Sequence, residues 1–475
     1  MLLLSQLIIG KQFILKLKQS LFKGILASLL TVLVYQFYYI EFIRSNVEDS
    51  AFDTMSWIIL SREQTQTDSS NILLLMVDDS YLKSKNLLDE NNETRYGYIF
   101  PREYLAEIIA SVDTLTDDVD TQNRPKALFL DYDLSYYSDP LNITKSHGDQ
   151  VLIDVLKKER SYTIYLPMTS NYNYIYHDKD ERLQELIKNG KIKFVSVGLA
   201  SAGDNISRRY YPYETYNDVN NTPTIFPNIS IALWSETMQT NMEINTTFHQ
   251  KRASLIENRI IFKNKHIEED KEFTSWQSNW QNLSGVSANY PLDMIYEEIL
   301  ANSVIMVGPS HQLSSDNFGI DKFGNGLSGV EMHANALMTL YYLDGKLKRF
   351  SLWLSIFIVF IVVSLVDIFL GMFYPVKKAI VTSILSKNIV KKIMFFDLKK
   401  ESKKCPKCAK DNADQEKNDF QDKWFVPFSM IILMGISYCI FIFYKEWFNW
   451  MIPTLMSLPY VAIVFLFKKF NNKKR

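Results

Sequence analysis

Two patterns of apolar positions divide this chain. Long, nearly uninterrupted apolar runs occupy residues 24–42, 350–374, 426–444 and 451–467, and a more polar stretch, residues 43–349, separates the first run from the others. Roughly 20 apolar residues in a helix cross the hydrocarbon core of a bilayer, so each run predicts a transmembrane helix. The run at 350–374 is the clearest, with Asp367 as its single charge. Only Lys445-Glu446-Trp447 and their neighbours separate the last two runs, which predicts a tight helical hairpin.

Within residues 43–349 the apolar positions come in short groups. Ile72–Val77 is continuously aliphatic and ends in Asp78-Asp79, and Lys126–Tyr132 ends beside Asp131 and Asp133. Short unbroken apolar runs of this kind predict buried strands. Ser161–Pro167, Lys193–Leu199 and Asn302–Val307 read the same way. Between them, Glu103–Leu115 sets Leu105, Ile108, Ile109 and Val112 at helical spacing, and Val151–Lys158, Ile229–Met238 and Gly329–Tyr342 predict further helices. Such alternation predicts an α/β domain, a sheet covered by helices, joined to α-helical transmembrane segments. Asn- and Asp-rich stretches at 90–94, 117–123 and 217–222 predict surface loops.

Charge placement orients the chain. The formal net charge of −1 points to no nucleic-acid partner. Lysines cluster in residues 1–23 (Lys11, Lys16, Lys18, Lys23), in 375–423 and in the tail 468–475. Basic residues flanking spans mark the cytoplasmic side, so both termini are expected in the cytoplasm and 43–349 outside. No small-x-small cleavage site follows the first run, which is the pattern of an uncleaved signal anchor. The outer segment has no cysteine, so no disulfide framework is expected.

Several positions carry candidate chemistry. In open α/β sheets, ligands bind at the carboxyl edge of the strands. Asp78, Asp79, Asp131 and Asp133 belong there, Asp316 follows the last strand, and Arg102 is expected to pair with one of these acids. Such a group holds a cation or a polar small molecule, or serves as helix caps and an internal ion pair. A carboxylate inside a span, Asp367, is a functional suspect because burying it there is costly. Cys405-Pro-Lys-Cys408 supplies half of a tetrahedral zinc site, which a symmetric dimer would complete between subunits; a redox pair and no function are the other readings. There is no Gly-x-Ser-x-Gly, phosphate-cradling glycine loop or His-Glu-x-x-His, and the six histidines are scattered, so no catalytic activity is expected.

Phe100-Pro101-Arg102, Leu130-Asp131, the Asp204 to Arg208-Arg209 and Pro212 element, and above all Ser328-Gly-Val-Glu331-Met-His333-Ala-Asn335 complete a pattern with the strands above. Over about residues 45–345 the chain resembles the CHASE2 sensor domain. In that family the first strand ends in two acids, Trp-Pro-Arg stands where Phe100-Pro101-Arg102 does, and the membrane-proximal motif reads Pro-Gly-Val-Glu-x-His-Ala-Asn. The resemblance implies an extracytoplasmic input module in the bacterial inner membrane, followed by three spans and usually a catalytic output module. No such module is expected in this chain. The expected function is a receptor subunit that detects an outside signal and passes it to a separate cytoplasmic or membrane partner, with a homodimer as a plausible assembly. A scaffold that binds another envelope protein is the alternative, and a transporter accessory a weaker one. Residues two apart on a helix do not share a face, so Glu331 and His333 are not expected to form a metal site. Instead Glu331, His333 and Asn335 are expected to form a coupling joint before the second span, with His333 and Asn335 tying the helix start to the preceding loop.

Overall fold

The structure, a computed structural model, describes residues 17–33, 48–60, 72–96, 99–117, 124–138, 144–170, 172–201, 205–217, 222–240, 258–262, 283–288, 302–311, 314, 316–319, 326–386 and 406–450. The chain forms two compact units, Leu60–Leu347 and the combination of Met1–Ile59 with Lys348–Arg475.

The Leu60–Leu347 unit is built on six parallel strands: β1 (Ile72–Val77), β2 (Ala127–Leu130), β3 (Thr163–Pro167), β4 (Ile192–Val195), β9 (Leu283–Ser287) and β10 (Val304–Pro309). Four helices join the first strands, α1 (Asp79–Ser84), α2 (Arg102–Asp117), α3 (His147–Leu156) and α4 (Glu181–Lys188); α5 (Ile229–Met238) and α6 (Gly329–Leu343) come later. The strand order is β4-β3-β2-β10-β1-β9. From β1 the chain moves through β2, β3 and β4 toward one edge. It then returns to the opposite edge as β9, and β10 inserts between β1 and β2. A reversal of this kind opens a crevice at the carboxyl ends of the strands.

Both sheet faces are covered, which is why β1 and β2 are apolar throughout and buried throughout. Leu73, Leu75, Val77, Leu128, Leu130, Ile305 and Val307 share a core with Leu105, Ile109 and Val112 of α2 and Leu152 and Leu156 of α3. Burying each side chain of this size contributes about 1.5–3 kcal/mol. On the other face the Phe129 ring meets His333 of α6 edge-on at 5.9 Å, and the Tyr165 hydroxyl donates to Glu236 of α5 at 2.9 Å. A bidentate pair ties three elements together: Arg160 Nε and Nη2 donate to Asp113 of α2 at 2.8 and 2.9 Å, and the Tyr162 hydroxyl reaches the same carboxylate at 2.6 Å.

Smaller pairs sit on the connections. They are β5 (Leu199–Ser201) with β6 (Ser207–Tyr210), β7 (Tyr213–Asn217) with β8 (Pro223–Pro227), and β11 (Asn317–Gly319) with β12 (Gly326–Ser328), all antiparallel. Arg208 and Arg209 are buried on β6, whereas Asp204 lies outside the described residues. Asp344 and Gly345 take left-handed φ of 51° and 115°, which stops α6.

In the second unit, residues 17–33, Ser50–Leu60, Leu352–Ser386 and Pro406–Tyr444 are helical. Among the described residues, two stretches are long and apolar enough to cross a membrane: Leu352–Leu370, with mean hydropathy 2.7, and Trp424–Tyr444, with 2.2. Trp353, Phe357, Leu365, Ile431 and Phe443 are exposed on them, as lipid-facing side chains would be. The segment expected as a loop at 375–423 is largely helix at its two ends, since the helices run on to Ser386 and back to Pro406. The first apolar helix starts earlier than residue 24, being helical already at residue 17. The run at 451–467 and the tail 468–475 lie outside the described residues.

Candidate functional site

The carboxyl edge of the sheet gathers the acids that the sequence singles out, but in three separate groups. In the first, Asp131 follows β2 and Asp316 follows β10. Asp316 Oδ2 accepts the Gly329 N–H, at the first turn of α6, at 3.1 Å, and its backbone carbonyl accepts the same N–H at 3.0 Å. A Cβ at residue 329 would stand 2.2 Å from that carboxylate, so only glycine admits the contact. Gly308 at the end of β10 allows an equally close approach, since a Cβ there would meet Val330 at 2.5 Å. Asp131 keeps Oδ2 sealed from solvent with no hydrogen-bond partner among the described residues. Burial first, and the charge of Asp316 second, push the Asp131 carboxyl well above the usual range. Burial raises Asp316 to about 6, opposed by the Gly329 N–H. Two carboxyls that repel each other in a poorly solvated site hold a proton between them near neutral pH.

The second group is Asp78, Asp79 and His311. Asp78 accepts the Tyr81 N–H at 2.8 Å and caps α1, so part of its role is structural. Asp79 begins α1, and both charges bear on His311. His311 is buried, with Nδ1 unpartnered among the described residues, and its pKa is lowered by burial against the opposing pull of Asp79 and Asp78. Asp133 anchors the third group. Its Oδ1 accepts from Ser135 N at 2.9 Å and from Thr169 Oγ1 at 2.5 Å, and Ser135 Oγ lies 2.9 Å from Thr169 Oγ1 and 2.8 Å from Ser170 Oγ. Among the described residues Arg102 pairs with none of the expected acids: it is buried and donates Nη2 to the backbone carbonyl of Asp133.

The α6 motif divides its labour differently from the expectation. Glu331, not His333 or Asn335, ties the helix start: its Oε2 accepts from Ser328 N at 2.9 Å and from Ser328 Oγ at 2.8 Å. The Asn335 amide donates to Glu331 O, one turn back in its own helix, at 2.9 Å. His333 is buried against Phe129, its backbone carbonyl accepts from Ser230 Oγ of α5 at 3.3 Å, and burial lowers its pKa to about 3, so it is neutral at any physiological pH. A neutral ring wedged between helix and sheet is a packing element. Among the described residues no three His, Cys, Asp or Glu side chains are grouped to hold a metal ion.

A fold of this topology with a carboxyl-edge acid cluster fits many functions. Residues 26–370 match the CHASE2 domain. The chain belongs to the CHASE2 family. CHASE2 is a sensory domain of the extracytoplasmic type, consistent with a sensing role, and its match takes in the α/β unit together with the helices on either side. No curated protein and no solved structure matches the chain.

In the second unit of this CHASE2 protein, Asp367 is satisfied from the helix of residues 17–33. Ser20 Oγ donates to its Oδ2 at 2.6 Å and Lys23 Nζ to its Oδ1, while Ser364 Oγ donates to Ser20 O at 3.3 Å. Gly24 lets the two helices meet: a Cβ there would fall 2.4 Å from Ser364 Oγ. Cys405 lies outside the described residues and the side chain of Cys408 is likewise not described, so the expected intersubunit zinc falls outside them too. The sequence pattern did not pick out His311, Thr169, Ser170, Tyr172 or Tyr216. His311 was the one with a usable signal, standing four residues beyond the strand end expected at Val307.

Proposed function

We propose that this protein is a membrane-anchored sensory receptor subunit of the CHASE2 type. Its α/β unit faces outside, binds its signal at the carboxyl edge of the sheet, and passes the change through α6 to a separate cytoplasmic or membrane partner. The observation that carries this reading is the carboxyl pair Asp131–Asp316 resting on the first turn of α6. Residues 344–351 then lead directly from α6 to the apolar helix Leu352–Ser386. A ligand that changes the charge at this edge acts on the helix start, since an anion at a helix N-terminus is favoured by its N–H groups and dipole. The differential affinity of the ligand for the two charge states is what shifts the population.

Two experiments test it. Ser111→Cys, exposed on α2, is expected to react with a membrane-impermeant maleimide in intact spheroplasts, with Cys405 and Cys408 reacting only after lysis. Reaction of Ser111→Cys only after lysis overturns the orientation. The tagged chain, purified from native membranes, is expected to bring down a signalling enzyme at near-stoichiometric level. Recovery of envelope structural proteins alone replaces the receptor with the scaffold.

A further inference from the structure

The α/β unit leaves few large apolar or aromatic side chains exposed. Among its described residues they are Tyr136, Tyr172, Ile225 and Met238. Two of these tyrosines lie beyond the carboxyl ends of β2 and β3, beside the Asp133 hydroxyl network. Tyr172 is 44% exposed, yet its position is fixed. One face stacks on His177 at 5.2 Å and 22°, its N–H donates to Ser170 Oγ, and its carbonyl accepts from Ser170 Oγ. A ring held on one side and open on the other is a preformed platform rather than a loose surface tyrosine.

The platform continues inward. His177 meets Tyr176 edge-on at 5.0 Å, Tyr176 meets Phe226, and Phe226 meets Tyr216 of β7. Tyr216 is close enough to Asp133 to feel its charge. Asp133 is exposed, and its Oδ1 is occupied by Ser135 and Thr169. Its Oδ2 accepts from no described group. Lys145, paired with Asp178, adds a cation near Tyr172.

Donors and acceptors therefore alternate around aromatic faces. A cationic ligand would be repelled by Lys145 and would have no use for the Ser135, Thr169 and Ser170 hydroxyls. An anion would meet Asp133. A ligand with several hydroxyls and an axial C–H face uses all of these features together: the apolar face stacks on a tyrosine ring and vicinal hydroxyls donate to the carboxylate and exchange bonds with the serines. Ligand crevices of this topology lie at the same edge.

We propose that the Tyr172–Asp133 edge is a saccharide-binding site, and that the signal read by this receptor is a carbohydrate. This rests on the sensor reading above and names its ligand class. The sugar comes either as a diffusible mono- or disaccharide or as part of an envelope glycan.

The test uses the full chain in detergent micelles. Glucose, galactose, N-acetylglucosamine, maltose and chitobiose are titrated by calorimetry, and binding to sedimented peptidoglycan is measured in parallel. Saturable binding is expected in at least one arm: free sugars assign a diffusible ligand, and peptidoglycan alone assigns an envelope glycan. Tyr172→Ala and Asp133→Asn are each expected to weaken that binding about tenfold, from the lost stacking or charge-assisted hydrogen bond. Tyr172→Phe, which keeps the ring, is expected to stay within about threefold. As surface changes, all three are expected to leave the melting temperature within about 2 °C. No saturable binding in either arm overturns the proposal, and so does binding that Tyr172→Ala and Asp133→Asn leave unchanged. If no sugar binds but a signalling enzyme is still recovered from membranes, the ligand class alone falls. If a sugar binds while only structural envelope proteins are recovered, the sensor reading falls and the site stands.

Discussion

The Asp316→Asn substitution isolates the electrostatics of the α6 joint. Asparagine keeps a carbonyl oxygen to accept the Gly329 N–H but removes the charge that faces Asp131. Asp316 rises from 3.8 to about 6 in the folded protein. An acid whose folded pKa lies above its unfolded value holds its proton longer when folded. Its contribution is therefore unchanged below about pH 4, falls as pH climbs to about 6, and is constant above that. Two pKa units at about 1.4 kcal/mol each set an upper limit of about 3 kcal/mol lost by neutral pH. Coupling to Asp131, which can retain the shared proton, makes about 1–2 kcal/mol the working figure. Asp316→Asn recovers this at pH 7.5, only about a third of it at pH 4.5, and nothing well below pH 4. In a unit of this size that corresponds to a melting temperature about 3–6 °C above the parent at pH 7.5, with the two converging in acid. Intrinsic fluorescence melts of the full chain in detergent across pH 4.5–7.5 measure it. A variant less stable than the parent at pH 7.5, or a difference that does not change with pH, refutes the shared proton.

Three further outcomes follow from the same contacts. Asp113→Ala leaves the buried Arg160 guanidinium without its bidentate partner and is expected to cost about 3–5 kcal/mol, read as a fall in melting temperature; Arg160→Met with Asp113→Leu should recover most of it. Gly329→Ala drives a methyl into the Asp316 carboxylate and is expected to lower the melting temperature, with Gly329→Ala/Asp316→Ser restoring it because the obstructing atoms are shortened. Asp367→Ala strips the partner of Ser20 and Lys23 and is expected to reduce the detergent-extracted folded fraction, measured by size-exclusion fluorescence, while Lys23→Met/Asp367→Leu restores it.

The strands and the α6 helix were legible because both depend on local apolar pattern: six residues of ILLLMV can be buried on both faces only inside a covered sheet. Boundaries moved by a few residues where caps decided them. Ser146 and Asp149 cap α3 and start it four residues before the apolar spacing of Val151 begins. The helix Ser50–Leu60 was not read at all, because SAFDTMSWIIL carries too short an apolar stripe to stand out from its surroundings. At the site, the sequence placed the acids at the correct edge but could not divide them. Which acid caps a helix (Asp78), which meets hydroxyls (Asp133) and which shares a crevice with another acid (Asp131 with Asp316) depends on strand order, and β10 reaches its place between β1 and β2 only after about half the domain has intervened. The aromatic platform was invisible for a related reason. Tyr172 and His177 come from the β3–α4 connection and Tyr216 from β7, more than 30 residues on, and tyrosines are common throughout this chain.

The carboxyl pair and the α6 start form one device because their preferences oppose each other. The Gly329 N–H and the helix dipole favour an ionised Asp316. Burial favours a protonated one, and the Asp316 charge in turn favours a protonated Asp131. When opposing terms nearly cancel, a modest change in local potential decides the charge state, whereas a strongly biased group would ignore it. Gly329 and Gly308 remove the slack that would absorb such a change, since neither leaves room for a Cβ between α6 and the sheet edge. Packed interfaces without slack move between discrete arrangements rather than deforming gradually. Under the proposed reading, a ligand at the Asp133 edge acts without touching α6, through the field around Asp131, two residues away in sequence, whose protonation is tied to the charge of Asp316.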